Sequence, residues 1–394
     1  MIELNKGQVR AVRFIEQFLR GPDAMMCLSG ASGFGKSTVL NHLVSELEHT
    51  NEKNNLATQG YTSFNEVLLT ATTAKAAGLL RGAKTIHKQL GLYVWKDFST
   101  GKSNLKSRNM VLPSNVVVVV DEASMVDPQL LRYIKDHIQN AQNVKYIFVG
   151  DRAQLKSVGS KFSIFEQNLP TYELTEPMRQ DPNSSLYKAC TQLRKAVFGE
   201  SVKVPTGPDI RKGTKEELLD ILNGDLSSFK CITYKNDTAI TFNKNLRKLH
   251  NRAAEWTVGD WVVVRSFYEP DPIPLETSLC IAGISTGSRI EGVDVLSLRF
   301  SCGRYAHVAV NPDDVKFAIK QAKKDRDWNS VKRLEEHIMD IRDAGAGTCH
   351  TVQGSTYDTV FVDLADINSC RDADMRNRIL YTAVSRARKQ VFLI

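Results

Sequence analysis

Residues 30–38 read GASGFGKST, and this stretch constrains the fold of the chain more than any other. It fits the pattern G-x-x-x-x-G-K-[ST], in which glycines let backbone N–H groups wrap around phosphate oxygens. A short apolar run precedes it, and apolar residues at helical spacing follow it from Val39 to Leu47. A phosphate-binding loop requires this order of strand, loop and helix, because the helix N-terminus favours negative charge. The context therefore favours a nucleotide-binding loop over a flexible glycine turn.

The residue types in this loop predict separate tasks. The Lys36 ammonium is expected to reach the β- and γ-phosphates of ATP, and the Ser37 hydroxyl is expected to bind Mg²⁺. The loop backbone is expected to hold the other phosphate oxygens. The predicted ATP contacts in the loop are Gly30, Ala31, Ser32, Gly33, Phe34, Gly35, Lys36, Ser37 and Thr38.

Length and composition set wider limits. A chain of 394 residues is long enough for two or more domains. The 52 Lys and Arg outnumber the 44 Asp and Glu, which permits a polyanionic partner without requiring one. The seven cysteines form no C-x-x-C pair, so we expect reduced thiols in a cytoplasmic protein. The N-terminal stretch MIELNKGQVR does not resemble a signal peptide, and the apolar run VVVVV is too short to cross a bilayer.

The first half of the chain has the pattern of a parallel sheet. After an amphipathic helix at 5–20, short apolar strands alternate with helical stretches from 24 to about 180. A polar stretch at 93–115 interrupts this rhythm and is predicted to be an inserted hairpin or loop. A Gly- and Pro-rich stretch at 198–217 marks a domain boundary.

A second α/β region begins near residue 230. It is interrupted by a β-rich stretch at 256–310 and a charged helical stretch at 311–343. The lysines and arginines of the helical stretch are interpreted as a solvated face rather than a binding site. The predicted fold class is α/β, with two parallel-sheet domains at 1–198 and 199–394 and insertions at 93–115 and about 256–345.

A buried strand of five valines ends in Asp121 and Glu122. A carboxylate at the tip of a strand beside the phosphate loop is expected to give Mg²⁺ its second protein contact, which is the role predicted for Asp121. Glu122 is expected to orient or deprotonate the attacking water. The apolar strand disfavours the alternative of a surface acidic pair.

Four further side chains have two interpretations each. Gln154 follows an apolar strand and could report the γ-phosphate, or lie in an ordinary turn. Arg179 and Arg386 could stabilise the charge that develops in phosphoryl transfer, or form surface ion pairs. Gln8 could hydrogen-bond adenine, or lie on the surface of the first helix.

Hydroxyl-rich loops follow the predicted strands in both α/β regions. Thr73, Thr85 and His87 could offer donors to phosphates, and the stretch TCHTVQGSTYDTV at 348–360 repeats this pattern. Each loop alone is no more informative than a turn. Their recurrence in both α/β regions is the useful signal.

Taken together, these stretches resemble the motifs of superfamily 1 helicases of the B branch, which include RecD-like and Dda-like DNA helicases. The resemblance runs from Gln8 to Lys389 in the family's order. It is carried by GASGFGKST, TATTAKAA, TIHKQLG, DEAS, GDRAQL, LTEPMR, HTVQGSTYDTV and LYTAVSRARK.

The resemblance implies two RecA-like motor domains and a role for each nucleotide-site residue. Gln8 would read adenine, Gln154 would sense the γ-phosphate, and Arg179 and Arg386 would be two arginine fingers. Gly354 would belong to the nucleotide site.

The resemblance also implies a track for single-stranded DNA. The insertion at 93–115 would be a duplex-splitting pin with Trp95 or Phe98 stacking on a base, and the β-rich insertion would be SH3-like. Movement would run 5′→3′. The track residues would be Thr73, Lys75, Thr85, His87, Lys156, His350, Thr351 and Gln353, the last linking the track to the nucleotide.

Three positions depart from the family's pattern. Thr72 and Lys156 stand where the family usually has proline, and Ala74 stands where it often has glycine. A lysine at 156 could add a phosphate contact. The local backbone at these positions is therefore open to question.

The sequence thus predicts an ATP- and Mg²⁺-dependent DNA helicase acting as a monomer on single strands and on single-strand/duplex junctions. Single-strand-binding or replisome proteins are expected partners, and no membrane is involved. Three alternatives stay open: a translocase or RNA-directed motor that does not separate duplex, a slow nucleotide-dependent clamp or loader, and a P-loop ATPase without nucleic acid. A DNA helicase of this kind could act in DNA replication or in DNA recombination.

Overall fold

The computed structural model describes most of the chain. The described residues are 4–53, 64, 66–80, 82–96, 103–108, 111–157, 159–177, 181–204, 206–214, 217, 221, 229–250, 252 and 255–394. The chain divides into two compact units, the first made of Met1–Tyr93, Leu105–Asp209 and Asp372–Ser385, and the second of Val94–Asn104, Ile210–Arg371 and Arg386–Ile394.

The first unit is built on a six-stranded, wholly parallel sheet. Its strands are β1 (Met25–Gly30), β2 (Glu66–Ala71), β3 (Lys84–Thr85), β6 (Val116–Asp121), β7 (Val144–Gly150) and β8 (Thr171–Leu174). Their order in the sheet is β3-β2-β6-β7-β1-β8, so β7 separates the strand before the phosphate loop, β1, from the valine strand, β6.

Helices cover both faces of this sheet, as the sequence predicts. Strand β6 illustrates the reason, because successive side chains point to opposite faces. Val117 and Val119 join the core under α1 (Lys6–Arg20) and α2 (Lys36–Lys53), whereas Val118 and Val120 join the core under α5 (Pro128–Asn140). Each fully buried valine contributes roughly 1.5–3 kcal/mol. The helices are α1 (Lys6–Arg20), α2 (Lys36–Lys53), α3 (Ala74–Leu79), α4 (Ile86–Gln89), α5 (Pro128–Asn140), α6 (Ser185–Val197) and, from late in the chain, α11 (Ala373–Val384).

Local signals set where helices begin. Asn5 caps α1 and accepts a hydrogen bond from the Gln8 backbone N–H at 2.8 Å. Asp127 caps α5 with Pro128 in the first turn, as its Asp-Pro pair predicts. The predicted insertion at 93–115 overlaps a two-stranded sheet of β4 (Leu92–Lys96) and β5 (Ser103–Ser107).

His137 on α5 is buried between two polar groups. Its Nδ1 lies 2.6 Å from the Tyr146 hydroxyl and its Nε2 lies 2.9 Å from the Pro113 carbonyl oxygen. A carbonyl can only accept, so Nε2–H donates to Pro113 and Nδ1 accepts from Tyr146. Burial raises the pKa of Tyr146, which keeps this hydroxyl protonated. The neutral imidazole therefore satisfies both neighbours.

We expect His137 to make the first unit less stable in acid. Burial lowers the pKa of His137, so the folded chain resists a proton that the unfolded chain binds as pH falls below about 6.5. This stabilisation is present above that pH and is lost below it, at up to about 1.4 kcal/mol per pH unit. Between about pH 8 and pH 5, the free energy of unfolding measured in urea should decline less steeply for His137→Gln than for the wild type. Equal slopes would contradict the assignment.

The second unit contains its own parallel sheet, made of β9 (Ile210–Lys212), β10 (Phe229–Thr233), β16 (Ala346–Thr348), β17 (Tyr357–Val362) and β18 (Ala387–Leu393). Their order in the sheet is β16-β10-β17-β18-β9. Helix α7 (Asn236–Leu249) packs on it, and α10 (Leu364–Asn368) follows β17.

An antiparallel sheet interrupts the second unit between β10 and β16, and it confirms the predicted β character of this insertion. Its strands are β11 (Trp261–Val264), β12 (Ser278–Ile290), β13 (Val293–Phe300), β14 (Tyr305–Ala309) and β15 (Ile341–Asp343). Their order in the sheet is β14-β13-β12-β11-β15. The charged stretch between β14 and β15 forms two helices, α8 (Pro312–Lys324), capped by Asn311, and α9 (Trp328–Glu336).

Arg247 joins α7 to this insertion. Its guanidinium donates to Asp260 Oδ2 at 2.9 Å, to Asp343 Oδ1 at 3.0 Å and to the Glu255 carbonyl at 2.6 Å. It also lies 5.0 Å from the centre of the Trp256 ring. Arg247 and Asp260 are both buried, and Asp260 also accepts from Arg252 at 2.8 Å, so these charges stabilise one another as a small network.

We expect Arg247→Met to destabilise the second unit by about 3 kcal/mol, because it removes one of the two arginine partners of the buried Asp260 carboxylate and the ion-pair partner of the half-buried Asp343. Urea unfolding followed by tryptophan fluorescence measures this loss. Arg289→Met is the matched control, since the Arg289–Asp294 pair is 70% and 58% exposed and should contribute nothing measurable. Equal losses in the two variants would refute the structural role of Arg247.

Within the described part of the chain, no helix is both long and apolar enough to span a membrane.

Candidate nucleotide and nucleic-acid site

The phosphate loop lies between β1 and α2 at the carboxyl edge of the first sheet. Gly33 and Gly35 have φ of 82° and 78°, which other residues rarely adopt. The Lys36 Nζ donates to the carbonyls of Gly30 at 2.7 Å and Ala31 at 3.0 Å. These bonds hold the ammonium over the loop, where a triphosphate would need a cation.

Gln8 is fully buried against this loop, so the alternative of a surface glutamine is wrong. Its Oε1 accepts from the Asn5 backbone N–H at 2.9 Å, and its Nε2 lies 3.4 Å from the Gly35 carbonyl oxygen. Gln8 therefore ties the start of α1 to the phosphate loop. Its role towards adenine stays a prediction.

Asp121 and Glu122 follow β6 at the same sheet edge. Burial raises the pKa of Asp121, although the Glu122 N–H and the charge of Lys36 oppose the shift. The Glu122 backbone is left-handed, with φ 50° and ψ 41°, a conformation that costs a non-glycine residue about 1 kcal/mol or more. Its N–H donates to Asp121 Oδ1 at 2.9 Å.

The chemistry of this edge fits a magnesium ion. Ser37 offers a hydroxyl oxygen on an exposed helix start, and Asp121 offers a carboxylate whose charged form a cation would stabilise. Oxygen ligands of this kind are those that Mg²⁺ prefers.

The loop after β7, which carries Gln154, is held by residues from distant parts of the chain. The fully buried Asp151 carboxylate accepts from the Tyr381 hydroxyl at 2.5 Å and lies 3.6 Å from Arg194 Nε. The Arg378 guanidinium donates to the carbonyls of Arg152 at 2.8 Å and Gln154 at 3.1 Å. Sequence reasoning missed Arg194, Arg378 and Tyr381, because nothing local distinguishes them from ordinary helix residues.

A cavity of about 340 Å³ adjoins the phosphate loop within the first unit. The loop contributes Ala31, Ser32 and Phe34 to its wall, and α6 contributes Arg194 and Tyr187 among others. This volume is at the lower end of the range for small-molecule sites.

The two predicted arginine fingers differ in what the structure shows. Arg179 lies outside the described residues. Arg386 is only 3% exposed, which excludes a surface position, and its guanidinium lies 3.4 Å from the Ser355 carbonyl oxygen in the second unit. Gly354, the neighbour of Ser355, has a positive φ of 77°.

The predicted DNA contacts of the first unit line the carboxyl edge of its sheet. Thr73 and Thr85 cap α3 and α4 by accepting from the N–H groups of Ala76 at 3.1 Å and Lys88 at 3.2 Å. Burial lowers the pKa of His87, so its ring is neutral near pH 7. Lys75 lies in the first turn of α3.

Lys156 already has an anionic partner. Its Nζ lies 2.9 Å from Glu166 Oε1 and 3.0 Å from the Lys161 carbonyl oxygen. A DNA phosphate would have to compete with this pair, so Lys156 is a weaker candidate than the sequence indicates. Trp95 lies on β4, but its side chain is outside the described residues, as is all of Phe98.

The candidate loop of the second unit follows β16. The Thr351 hydroxyl donates to the Thr348 carbonyl at 2.8 Å, which closes a tight turn, and Gln353 is buried. Burial lowers the pKa of His350. Thr72, at a position where proline is usual, donates through its hydroxyl to the Glu122 carbonyl at 2.9 Å.

A phosphate loop, strand-end carboxylates and two parallel α/β sheets define a P-loop protein with two RecA-like units. A family model described as an AAA domain matches residues 3–204, and another, described as a UvrD-like helicase C-terminal domain, matches residues 343–394. The first match covers just over half of the sequence, so the chain belongs to the AAA domain family. The resemblance to superfamily 1 helicases agrees with the UvrD-like helicase model, and the predicted α/β fold with two parallel-sheet units is confirmed. Membership of the B branch stays a prediction.

Individual proteins are also similar to parts of this chain. DNA helicase B of Mus musculus is 27% identical over 186 residues, and an uncharacterized protein, R530, of Acanthamoeba polyphaga mimivirus is 27% identical over 216 residues. These matches cover 40% and 47% of the chain but only 16% and 43% of those relatives. The structure of the Pif1 helicase from Bacteroides in complex with ADP-AlF3 and ssDNA is similar to the whole of this chain. The match covers 92% of the Pif1 chain, at 15% identity and a TM-score of 0.58.

Proposed function

We propose that this protein is an ATP-dependent DNA helicase that moves along single-stranded DNA and separates duplex. The observation that carries the proposal is the phosphate loop with Lys36 held over it, at the same sheet edge as Asp121 and Glu122. This edge brings together a phosphate-binding loop, a candidate magnesium ligand and a candidate general base. The similarity to DNA helicase B and to the ssDNA-bound Pif1 structure supports DNA as the partner.

In the proposed nucleotide site, each residue has one task. Ser37 and Asp121 would hold Mg²⁺, which neutralises charge on the phosphates when bound. Glu122 would accept a proton from the attacking water, and Gln154 would respond to the γ-phosphate. The remaining predicted participants are Gln8, Arg179, Gly354 and Arg386.

The proposed DNA track uses the carboxyl edge of each sheet. Thr73, Lys75, Thr85 and His87 would contact phosphates in the first unit, and His350, Thr351 and Gln353 would do so in the second. The hairpin at 93–115, with Trp95 or Phe98, would separate the strands. We propose 5′→3′ movement, monomeric action, a domain division at 198/199, and single-strand-binding or replisome proteins as partners.

The ATPase rate with and without a single-stranded oligonucleotide tests the proposal. We expect stimulation of about tenfold or more, and strand separation of 5′-tailed but not 3′-tailed duplexes. A flat ATPase response would overturn the helicase proposal in favour of a clamp or an ATPase without nucleic acid. Unwinding that survives deletion of the hairpin at 93–115 would remove its role as the pin.

A further inference from the structure

Thr72 connects the end of β2 to the catalytic end of β6. Within the parallel pair, Ala71 lies opposite Asp121. The next residue, Thr72, donates through its backbone N–H to the Asp121 carbonyl at 3.1 Å and through its hydroxyl to the Glu122 carbonyl at 2.9 Å. A proline at this position could make neither bond, since it has no N–H and no hydroxyl.

These bonds act on a backbone that needs support. Glu122 has a left-handed backbone, and its carbonyl accepts from the Met125 N–H at 3.2 Å as well as from Thr72. The φ and ψ of a residue restrict which rotamers its side chain can adopt. Fixing the Glu122 carbonyl therefore helps to fix the direction of the Glu122 carboxylate.

On its other side, Thr72 adjoins the loop proposed to contact DNA. Thr73 caps α3 by accepting from Ala76 N–H, and Lys75 lies in the first turn of that helix. Two residues thus separate a predicted phosphate contact, Lys75, from the hydroxyl that holds Glu122. A DNA strand that contacts this turn would act on the Glu122 carbonyl through the hydrogen bond from the Thr72 hydroxyl.

We infer that Thr72 is a positioning residue that couples DNA contact on the α3 turn to the alignment of Glu122 for ATP hydrolysis. The inference rests on the proposed function. Thr72 touches neither ATP nor the reacting water in this scheme. Its effect should appear in the stimulation of ATPase by DNA rather than in the binding of either ligand.

The test compares Thr72→Val with Thr70→Val in the full chain. Each change removes one threonine hydroxyl that donates to a backbone carbonyl. The Thr72 hydroxyl donates to the Glu122 carbonyl, and the Thr70 hydroxyl donates to the Val119 carbonyl of β6 at 2.7 Å. Only the Thr72 bond reaches Glu122. Thr72→Ser restores the hydroxyl, and Thr72→Ala provides a second loss-of-hydroxyl variant should valine disturb folding.

We expect Thr72→Val to lower the ratio of stimulated to basal ATPase by about threefold or more, with KM for ATP and Kd for a dT oligonucleotide within about twofold of the wild type. Thr70→Val and Thr72→Ser should keep the wild-type ratio. A wild-type ratio of stimulated to basal ATPase in both Thr72→Val and Thr72→Ala would overturn the coupling and leave the proposed function intact. A wild-type protein without stimulation would overturn the proposed function and the coupling with it.

Discussion

Lys36→Ala is expected to lower ATPase kcat/KM by roughly a hundredfold or more, which corresponds to about 2.7 kcal/mol or more of transition-state stabilisation. The Lys36 ammonium is held over the loop by the Gly30 and Ala31 carbonyls, so little reorganisation is needed when a triphosphate arrives. Alanine removes the one cation that the loop itself supplies. The negative charge of the β- and γ-phosphates would then lack this partner in ground and transition states.

Steady-state phosphate release measures this effect, and nucleotide binding by fluorescence should weaken as well. Lys135→Ala is the control, because Lys135 is exposed on α5. A Lys36→Ala rate above about a tenth of the wild type would refute the role of the loop in hydrolysis.

Glu122→Gln is expected to lower kcat by about 10²–10⁴-fold while leaving KM for ATP within about threefold. The amide has the same shape and keeps the left-handed backbone, but it cannot accept a proton from water. Binding should survive because the phosphates are held by the loop and not by Glu122. The variant should therefore accumulate bound, uncleaved ATP.

Single-turnover hydrolysis together with filter binding separates these two effects. Glu66→Gln is the matched control, since Glu66 begins β2 and pairs with Val116 at the opposite end of the same two strands. Hydrolysis by Glu122→Gln within about threefold of the wild-type rate would assign the general base to another residue.

Local features of the fold were predictable because neighbouring residues cause them. The Asp127-Pro128 start of α5 and the Asn311 cap of α8 depend on side chains one to three positions away. Gly33 and Gly35 of the phosphate loop adopt positive φ angles, which few other residues accept. The five valines of β6 require burial on both faces of the sheet. Each of these features can therefore be recognised from a short stretch of the sequence.

The partners of the site residues were not predictable in this way. Asp151 meets Tyr381 across more than two hundred residues, and Lys156 pairs with Glu166 instead of standing free for a phosphate. Gln8 is buried although its polarity allowed a surface position. Such contacts depend on how strands are ordered in the sheet, which no local pattern encodes.

The sequence by itself determined that the chain has a phosphate loop, two parallel α/β regions and acidic residues at a strand end, because glycine geometry, apolar periodicity and helix capping act over a few residues. Only the tertiary structure decided which side chains hold those groups in place. Thr72 reaches Glu122 because β2 and β6 are adjacent and in register, and that adjacency results from packing the whole sheet between its helices.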